Sequence, residues 1–378
     1  MKKLTVIFFV FSLALFSCKG ESAKKDVTQS VQANSIKYAK GLRLYRYKDF
    51  SVVKVTRPWP DATTTFTYVM LQKGAVLPDS LKQYTVVNVP VTKLVATSTT
   101  HIPSLEILGV ENTLVGFPGT NYISSEKTRA LIDGGKIKEA GANESLNTEV
   151  VVDLQPDAIV AFAVDGANKS LQALQNAGLK VLYNGDWTEQ TPMGKAEWIK
   201  LFGALYGLDD KADEIFTGIE KDYNEALKLA QVVKQKPTVM AGAMLNDQWL
   251  MPQGDSWFAQ FYKDAGGTYF WANTKGTGSL SLSFEQVLER AQNADVWIGP
   301  GQYTSLLQMQ EANPHYAQFK AFREKRVYSY SNKTGKTGGL IFYELAPNRP
   351  DLVLKDLVYI FHPELLPGYK LHFFEQLK

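Results

Sequence analysis

The chain is 378 residues long, 45% apolar and 21% charged, with 41 basic against 38 acidic residues and a net charge of +3. That length exceeds what a single hydrophobic core fills, so two lobes are expected. The balanced charge excludes a nucleic-acid footprint, and the lone cysteine, Cys18, excludes an intrachain disulfide or a cysteine metal cluster.

Lys2 and Lys3 precede an apolar run from Leu4 to Leu15. The run is too short to span a bilayer as a mature helix, so residues 1–17 read as a secretory signal. The residues that close it, Leu15-Phe16-Ser17-Cys18, resemble the lipobox of bacterial lipoproteins, although Phe16 is bulkier than the usual residue there. That resemblance implies lipidation of Cys18, an anchor in the membrane and a location in the cell envelope. Residues 18–37 are polar without an apolar period and read as a flexible tether.

An N-terminal lobe is expected over residues 38–208. It opens β-rich: 43–55 and 63–71 alternate like strands, broken by Pro58 and Pro60, and 86–89 is a further short strand. From Leu94 strands alternate with helices. Strands are expected at 93–97, 113–116, 158–162 and 180–183, and helices at 102–108, 148–154, 170–177 and 194–206, the last opened by Thr191-Pro192. Residues 209–231 carry Ala212, Ile215, Phe216, Ile219, Tyr223, Ala226, Leu227 and Ala230 on one face, which predicts a long amphipathic helix capped by Asp209 or Asp210. With residues 232–233 it forms a connecting strut about 30 Å long. A C-terminal lobe, residues 234–378, repeats the alternation: strands at 238–245, 295–298 and 327–330, helices at 257–265, 283–290, 314–324 and 350–361. Ser283 and Gln286 form a capping box.

The fold class is therefore α/β: two Rossmann-like lobes with mostly parallel sheets, joined by a single long helix, with a β-rich N-terminal extension. Ligands of such sheets sit beyond the carboxyl ends of the strands. The loops there contribute aromatic, hydroxyl and basic candidates for a cleft: Thr100, His101, Tyr122, Trp187, Trp249, Trp257, Tyr303, Lys333 and Lys336. Lys127 and Arg129 add to a basic set that would neutralise an anionic ligand. His101 could equally hold the start of its helix. Catalytic motifs fail. The four histidines form no close ligand pair, so no metal is expected to be bound directly. Gly335-Lys336-Thr337 lacks the first glycine of a phosphate loop, and no GxSxG is present. A two-lobed glycosyltransferase or a nitrogenase-like cluster protein stands on fold analogy alone. No catalytic residue and no resident cofactor are expected.

Four segments, residues 93–116, 147–162, 284–298 and 349–365, resemble the class III substrate-binding proteins of ABC importers, those for ferric siderophores, haem and cobalamin. The similarity covers about residues 90–378. The resemblance implies a monomer that captures a small metal chelate between two helix-joined lobes and delivers it to a permease dimer. A ferric siderophore is the first expectation, then cobalamin, then haem; a non-transport lipoprotein scaffold is the alternative from another class. The family's permease-docking glutamates fall by motif on Glu149 and Glu285. Both lie in the first turn of an expected helix, where an acid is favoured by the helix dipole in any case.

Overall fold

The computed structural model describes residues 33–378. Cys18, the signal and the tether as far as residue 32 lie outside them. Two parallel sheets define the two lobes. In the N-terminal lobe the strands run Val181–Tyr183, Ala158–Ala161, Leu94–Ala96, Leu114–Phe117, Lys138–Glu139. In the C-terminal lobe they run Thr268–Tyr269, Thr238–Ala241, Val296–Ile298, Val327–Ser329 and, antiparallel at the edge, Glu375–Gln376. Central strands such as Ala158–Ala161 and Val296–Ile298 are buried at every residue, as helices on both faces of a parallel sheet require.

One device starts both sheets. Asp157, just before a strand, accepts bonds from the amide (2.7 Å) and hydroxyl (2.8 Å) of Thr92 at the head of the neighbouring strand. Asp295 does the same with the amide (2.8 Å) and hydroxyl (2.7 Å) of Thr238. Each aspartate satisfies strand-end groups that the ladder leaves open.

The β-rich extension is a sheet of Leu42–Arg46, Phe50–Val55, Phe66–Gln72 and Thr85–Val89, the first three antiparallel and the last parallel to its neighbour. Leu44, Val53, Tyr68 and Met70 join the main core, while Phe50, Val52, Val69 and Leu71 form a small core on the other face. The Tyr68 hydroxyl accepts the Tyr183 amide at 3.0 Å, which fixes this sheet to the N-terminal lobe.

The strut is the helix Asp209–Gln231, with Ala212, Phe216, Ile219, Tyr223, Ala226 and Ala230 buried. It packs against Ile199–Tyr206 of the N-terminal lobe and against Pro350–Phe361 and Trp257–Asp264 of the C-terminal lobe. Its start differs from expectation. The residue before the helix is Leu208, and no side chain caps it. Asp209 instead lies 2.9 Å from Arg46 Nε, and Asp213 takes the rest of that guanidinium, so the two aspartates hold the extension to the strut.

The expected tether also ends sooner than residue 37. Ile36 is buried, and the amides of Lys37, Tyr38 and Ala39 donate to the buried carboxylate of Glu197 at 2.8, 2.6 and 2.9 Å. Lys40 and Gly41 donate likewise to Glu189 at 2.9 and 2.8 Å. The helix expected over 194–206 is broken into Pro192–Ala196 and Ile199–Tyr206, and the break falls at Glu197. The strand expected over 238–245 is divided at Gly242, whose φ of 77° and tight approach to the Leu250 carbonyl only glycine accepts. The helix expected over 314–324 is a 3-10 turn, Pro314–Gln318, followed by Lys320–Arg323; the longer helix lies earlier, at Leu306–Ala312. Helices Glu126–Asp133 and Ile341–Leu345 had no clear sequence signal.

Arg46→Ala should strand Asp209, whose carboxyl burial already pushes upward. We expect a loss of about 2 kcal/mol, read as a lower urea midpoint at an unchanged slope. An unmoved midpoint would mean that the pair behaves as a solvated surface contact.

Candidate ligand-binding cleft

The carboxyl ends of both parallel sheets open into chambers that meet at Tyr343. The C-terminal chamber, about 670 Å³, is walled by Met244, Met251, Trp257, Phe258, Tyr262 and Tyr303 and floored by Gly299 and Tyr330. The N-terminal chamber, about 680 Å³, is lined by Thr97, Ser98, Thr99, Phe117, Tyr122 and Phe162, with Asn143 and Glu144 at one side and Gly338 and Gly339 at the other. Among the described residues no lysine, arginine or histidine lines either chamber, and Glu144 is the only charged one.

The lobes are linked a second time beneath this cleft. Residues 335–349 leave the C-terminal sheet and dock on the N-terminal lobe. The Glu344 carboxylate accepts the amides of Ser124 and Ser125 at 2.7 and 2.9 Å. Asn348 accepts the Ser104 hydroxyl and donates to the Thr100 carbonyl, both at 2.8 Å. The Thr337 hydroxyl donates to the Asn121 carbonyl at 2.7 Å. The backbones come so close that a Cβ on Gly335 would lie 2.5 Å from the Ser124 Cα, and one on Gly339 would collide with the Tyr122 carbonyl. Gly335-Lys336-Thr337 is thus an inter-lobe turn.

Of the cleft candidates, Tyr122, Trp257 and Tyr303 line the chambers. Trp187 stands one layer back, its ring 5.5 Å from that of Phe162. The other five do not reach the cleft. Thr100 lines neither chamber, its hydroxyl donating to Asp186 of the same lobe at 2.8 Å. His101 is fully buried beside Phe202, and burial lowers its pKa to about 4, so it is a neutral core residue that cannot reach a ligand. Trp249 is fully buried between Trp297, Tyr316 and Phe319, its indole N–H on the Ala241 carbonyl at 2.9 Å. It sits on the inward face of the strand Gln248–Pro252, where a loop was expected. Lys333 donates to the carbonyls of Leu371 and His372, and Lys336 pairs with Asp133 at 3.2 Å. The other two basic candidates are also engaged: Lys127 pairs with Glu111 at 2.7 Å, and buried Arg129 donates to the Thr120 and Ile123 carbonyls. The expected basic cleft is therefore replaced by an aromatic one without cations, in which, among the described residues, Glu144 is the one charged lining residue.

Lys195 does approach the wall from behind. Its ammonium is buried, donates to the Asp186 and Trp187 carbonyls at 3.2 and 3.0 Å, and lies 5.2 Å from the Trp257 ring centre. Burial lowers its pKa, with Asp186 and Glu189 opposing. A cation of one lobe thereby supports an aromatic wall of the other. Glu149 and Glu285 are both exposed, in the first turns of helices Thr148–Leu154 and Phe284–Ala291. Asn147 caps the first helix, and Ser283 with Gln286 forms the expected capping box on the second. The helix's own amide and the Ser283 hydroxyl hold the Glu285 carboxyl below its usual range.

Sequence reasoning missed Tyr330, Tyr343, Phe258 and Tyr262. Tyr330 was within reach, because it follows directly on a strand's carboxyl end. Tyr343 lies in a stretch that carries no periodic signal.

Residues 94–334 match the family described as periplasmic binding protein, which is more than half of the chain. The protein belongs to that family of binding proteins. An uncharacterized lipoprotein of Methanocaldococcus jannaschii is 28% identical over 366 residues, covering 90% of this chain and 84% of its own. A second from that organism is 27% identical over 365 residues, covering 93% and 88%. A periplasmic heme binding protein from Pseudomonas aeruginosa superposes with a TM-score of 0.58 at 19% identity, over 76% of this chain and 98% of its own. A periplasmic vitamin B12 binding protein of Vibrio cholerae superposes with a TM-score of 0.51 at 14% identity, over 72% and 96%. The two superpositions establish a shared fold.

Glu344 gives the inter-lobe link a pH dependence. Burial, reinforced by nearby Glu106 and opposed by the two amides, raises its carboxyl from 4.5 to about 7. Between those values the folded chain keeps a proton that the unfolded chain has released, so this residue's contribution falls as pH rises through the window. Glu344→Gln removes that loss. From pH 4.5 to 8 the variant should gain on the parent by up to roughly 3 kcal/mol, measured by urea unfolding at each pH. A difference that stays constant across the range would refute a raised Glu344.

Proposed function

We propose that the chain is the solute-binding lipoprotein of an ABC importer, and that its cargo is a net-neutral metal chelate held between the lobes. The observation that carries this reading is an aromatic cleft at the carboxyl ends of two helix-joined sheets, with no cation among its lining residues. Family membership supports a binding protein, and the superposed heme and vitamin B12 binding proteins support a macrocyclic metal chelate. An anionic ferric siderophore was expected because Lys127, Arg129, Lys333 and Lys336 could neutralise it. Those cations are engaged elsewhere. The preference therefore moves to a cobalamin-like corrinoid, with a neutral ferric hydroxamate as the siderophore that fits the same lining. Haem ranks behind them, since its carboxylates would meet no positive side chain. Lipidation of Cys18 would hold the protein at the envelope, in reach of a permease dimer.

Tryptophan fluorescence, titrated with cyanocobalamin, haemin, a ferric hydroxamate and a ferric catecholate, tests the cargo. Saturable quenching at sub-micromolar corrinoid or hydroxamate, about 8–12 kcal/mol of binding, is the expected result. Catecholate alone would restore the anionic reading, and no binding at all, with a stable protein partner in pull-down, would favour a scaffold. Charge reversal of Glu149 and Glu285 together should abolish uptake while leaving cargo affinity within about twofold, as expected of a transient Arg–carboxylate contact. Normal uptake by that double variant would remove the docking assignment.

A further inference from the structure

Charge is divided unevenly along this chain. Residues 33–93, the segment that builds the extension sheet, hold ten lysines and arginines against three acids, while residues 94–378 hold 26 against 33. The family match begins at residue 94, so the basic segment lies outside it. Three of its cations are paired: Lys37 with Glu220, Arg46 with Asp209 and Asp213, and Lys82 with Asp79.

The sheet turns one face to the main core and the other, with its small core of Phe50, Val52, Val69 and Leu71, away from it. On that outer face Arg43 stands opposite Lys54 in register, and the Lys54 ammonium lies 5.8 Å from the centre of the Tyr45 ring. The Arg43 guanidinium donates to the carbonyls of Ala39, Lys40 and Leu42, which leaves its charge uncancelled. At one end of the sheet the Gln72 amide donates to the Asp49 carbonyl at 3.0 Å, which places the exposed Lys48 and Lys73 on neighbouring turns. The segment that follows Lys73 folds over the outer face through Ala75, Leu77 and Leu81 and leaves Val76 88% exposed. Cations with half-buried tyrosines and one protruding aliphatic side chain match the headgroup layer of a membrane, whose surface is anionic and whose boundary admits tyrosine rings and short apolar groups.

The covalent structure brings such a layer within reach. The first described residues run along this sheet's edge, where the Ser35 amide donates to the Leu44 carbonyl at 2.9 Å. From residue 33 back to Cys18 is 15 residues, no more than about 50 Å even fully extended. The sheet is the first folded part of the chain after the expected lipid attachment.

We propose that the outer face of the extension sheet, with Arg43, Lys48, Lys54, Lys73 and Val76, is a membrane-contact surface for anionic lipid headgroups. The choice of lipid as its partner rests on the lipoprotein reading of Cys18. The contact supplements the acyl anchor and lays the extension against the bilayer.

Vesicle co-sedimentation of the processed chain from residue 18, carrying Cys18→Ser so that no acyl chain contributes, tests it. Vesicles of phosphatidylcholine with phosphatidylglycerol should retain the protein about tenfold better than phosphatidylcholine alone, and high salt should abolish the difference. Lys48→Gln, Lys54→Gln and Lys73→Gln together should lower retention on the anionic vesicles about tenfold or more. Lys136→Gln, Lys169→Gln and Lys234→Gln, the same charge change at exposed sites elsewhere, should leave it within about twofold. Equal retention of the parent by both kinds of vesicle, or equal losses from the two triple variants, would overturn the surface. Retention by a soluble acidic polysaccharide and by no vesicle would overturn the lipid partner in favour of a soluble polyanion. Cys18 lipidation is read separately, from the mass of the membrane-extracted parent, so its failure is not confused with failure of the surface.

Discussion

Tyr122 to Ser124 of one lobe and Gly335 to Gly339 of the other pack backbone against backbone, at a separation that leaves no room for a Cβ. Such an approach is possible only if the polar groups at the contact find partners across it, and they do: the Ser124 and Ser125 amides on Glu344, the Asn121 carbonyl on Thr337. The contact makes the lobes doubly linked, by the strut on one side and by this turn near the cleft. A body fixed at two separated places cannot open like a simple hinge. The cleft is therefore largely built before any ligand arrives, and small shear is the motion left to it.

The buried charges of this protein serve its framework. Glu197 and Glu189 gather the amides of residues 37–41; Arg46 joins Asp209 and Asp213; Asp356, fully buried, takes the amides of His372 and Phe373 and the Tyr369 hydroxyl and so ties down the C-terminal segment. Buried carboxylates survive because several N–H or O–H donors converge on each. With the lysines and arginines near the cleft engaged on carbonyls and acids, the chambers keep aromatic rings, thioethers and hydroxyls. A lining without cations selects by shape and ring contact, and it offers nothing to offset the desolvation of an anionic guest.

The architecture was legible where one period ran long. The strut, 209–231, and the last long helix, 350–361, have the bounds their apolar spacing predicts, and the capping box at Ser283 is present. Buried strands were legible as short apolar runs. The site was less so, because a sequence places a residue near a strand end without saying which way it turns or what already holds it. Trp249 alternates inward on a strand while Leu250 and Met251 reach the chamber. His101 starts its helix on the core side. The lysines and arginine are held by partners such as Asp133, Glu111 and the Leu371 carbonyl. The inter-lobe turn was illegible for a further reason: Glu344 meets Ser124 across 220 residues of chain, and no local pattern encodes that meeting.

Two linkages also bear on how such a protein would meet a permease. Glu149 and Glu285 sit on different lobes, each in the first turn of a capped helix, where the orientation of the carboxylate is set by the helix it starts. If these are the docking acids, their separation is held by the strut and the turn together and changes little with ligand. Docking affinity would then depend weakly on cargo. A loaded protein would have to be distinguished by what the ligand does at the cleft rim, where Tyr122 and Tyr343 stand exposed and a bound guest would cover them. The same rigidity that prebuilds the cleft thus moves discrimination from lobe spacing to the surface around Tyr343.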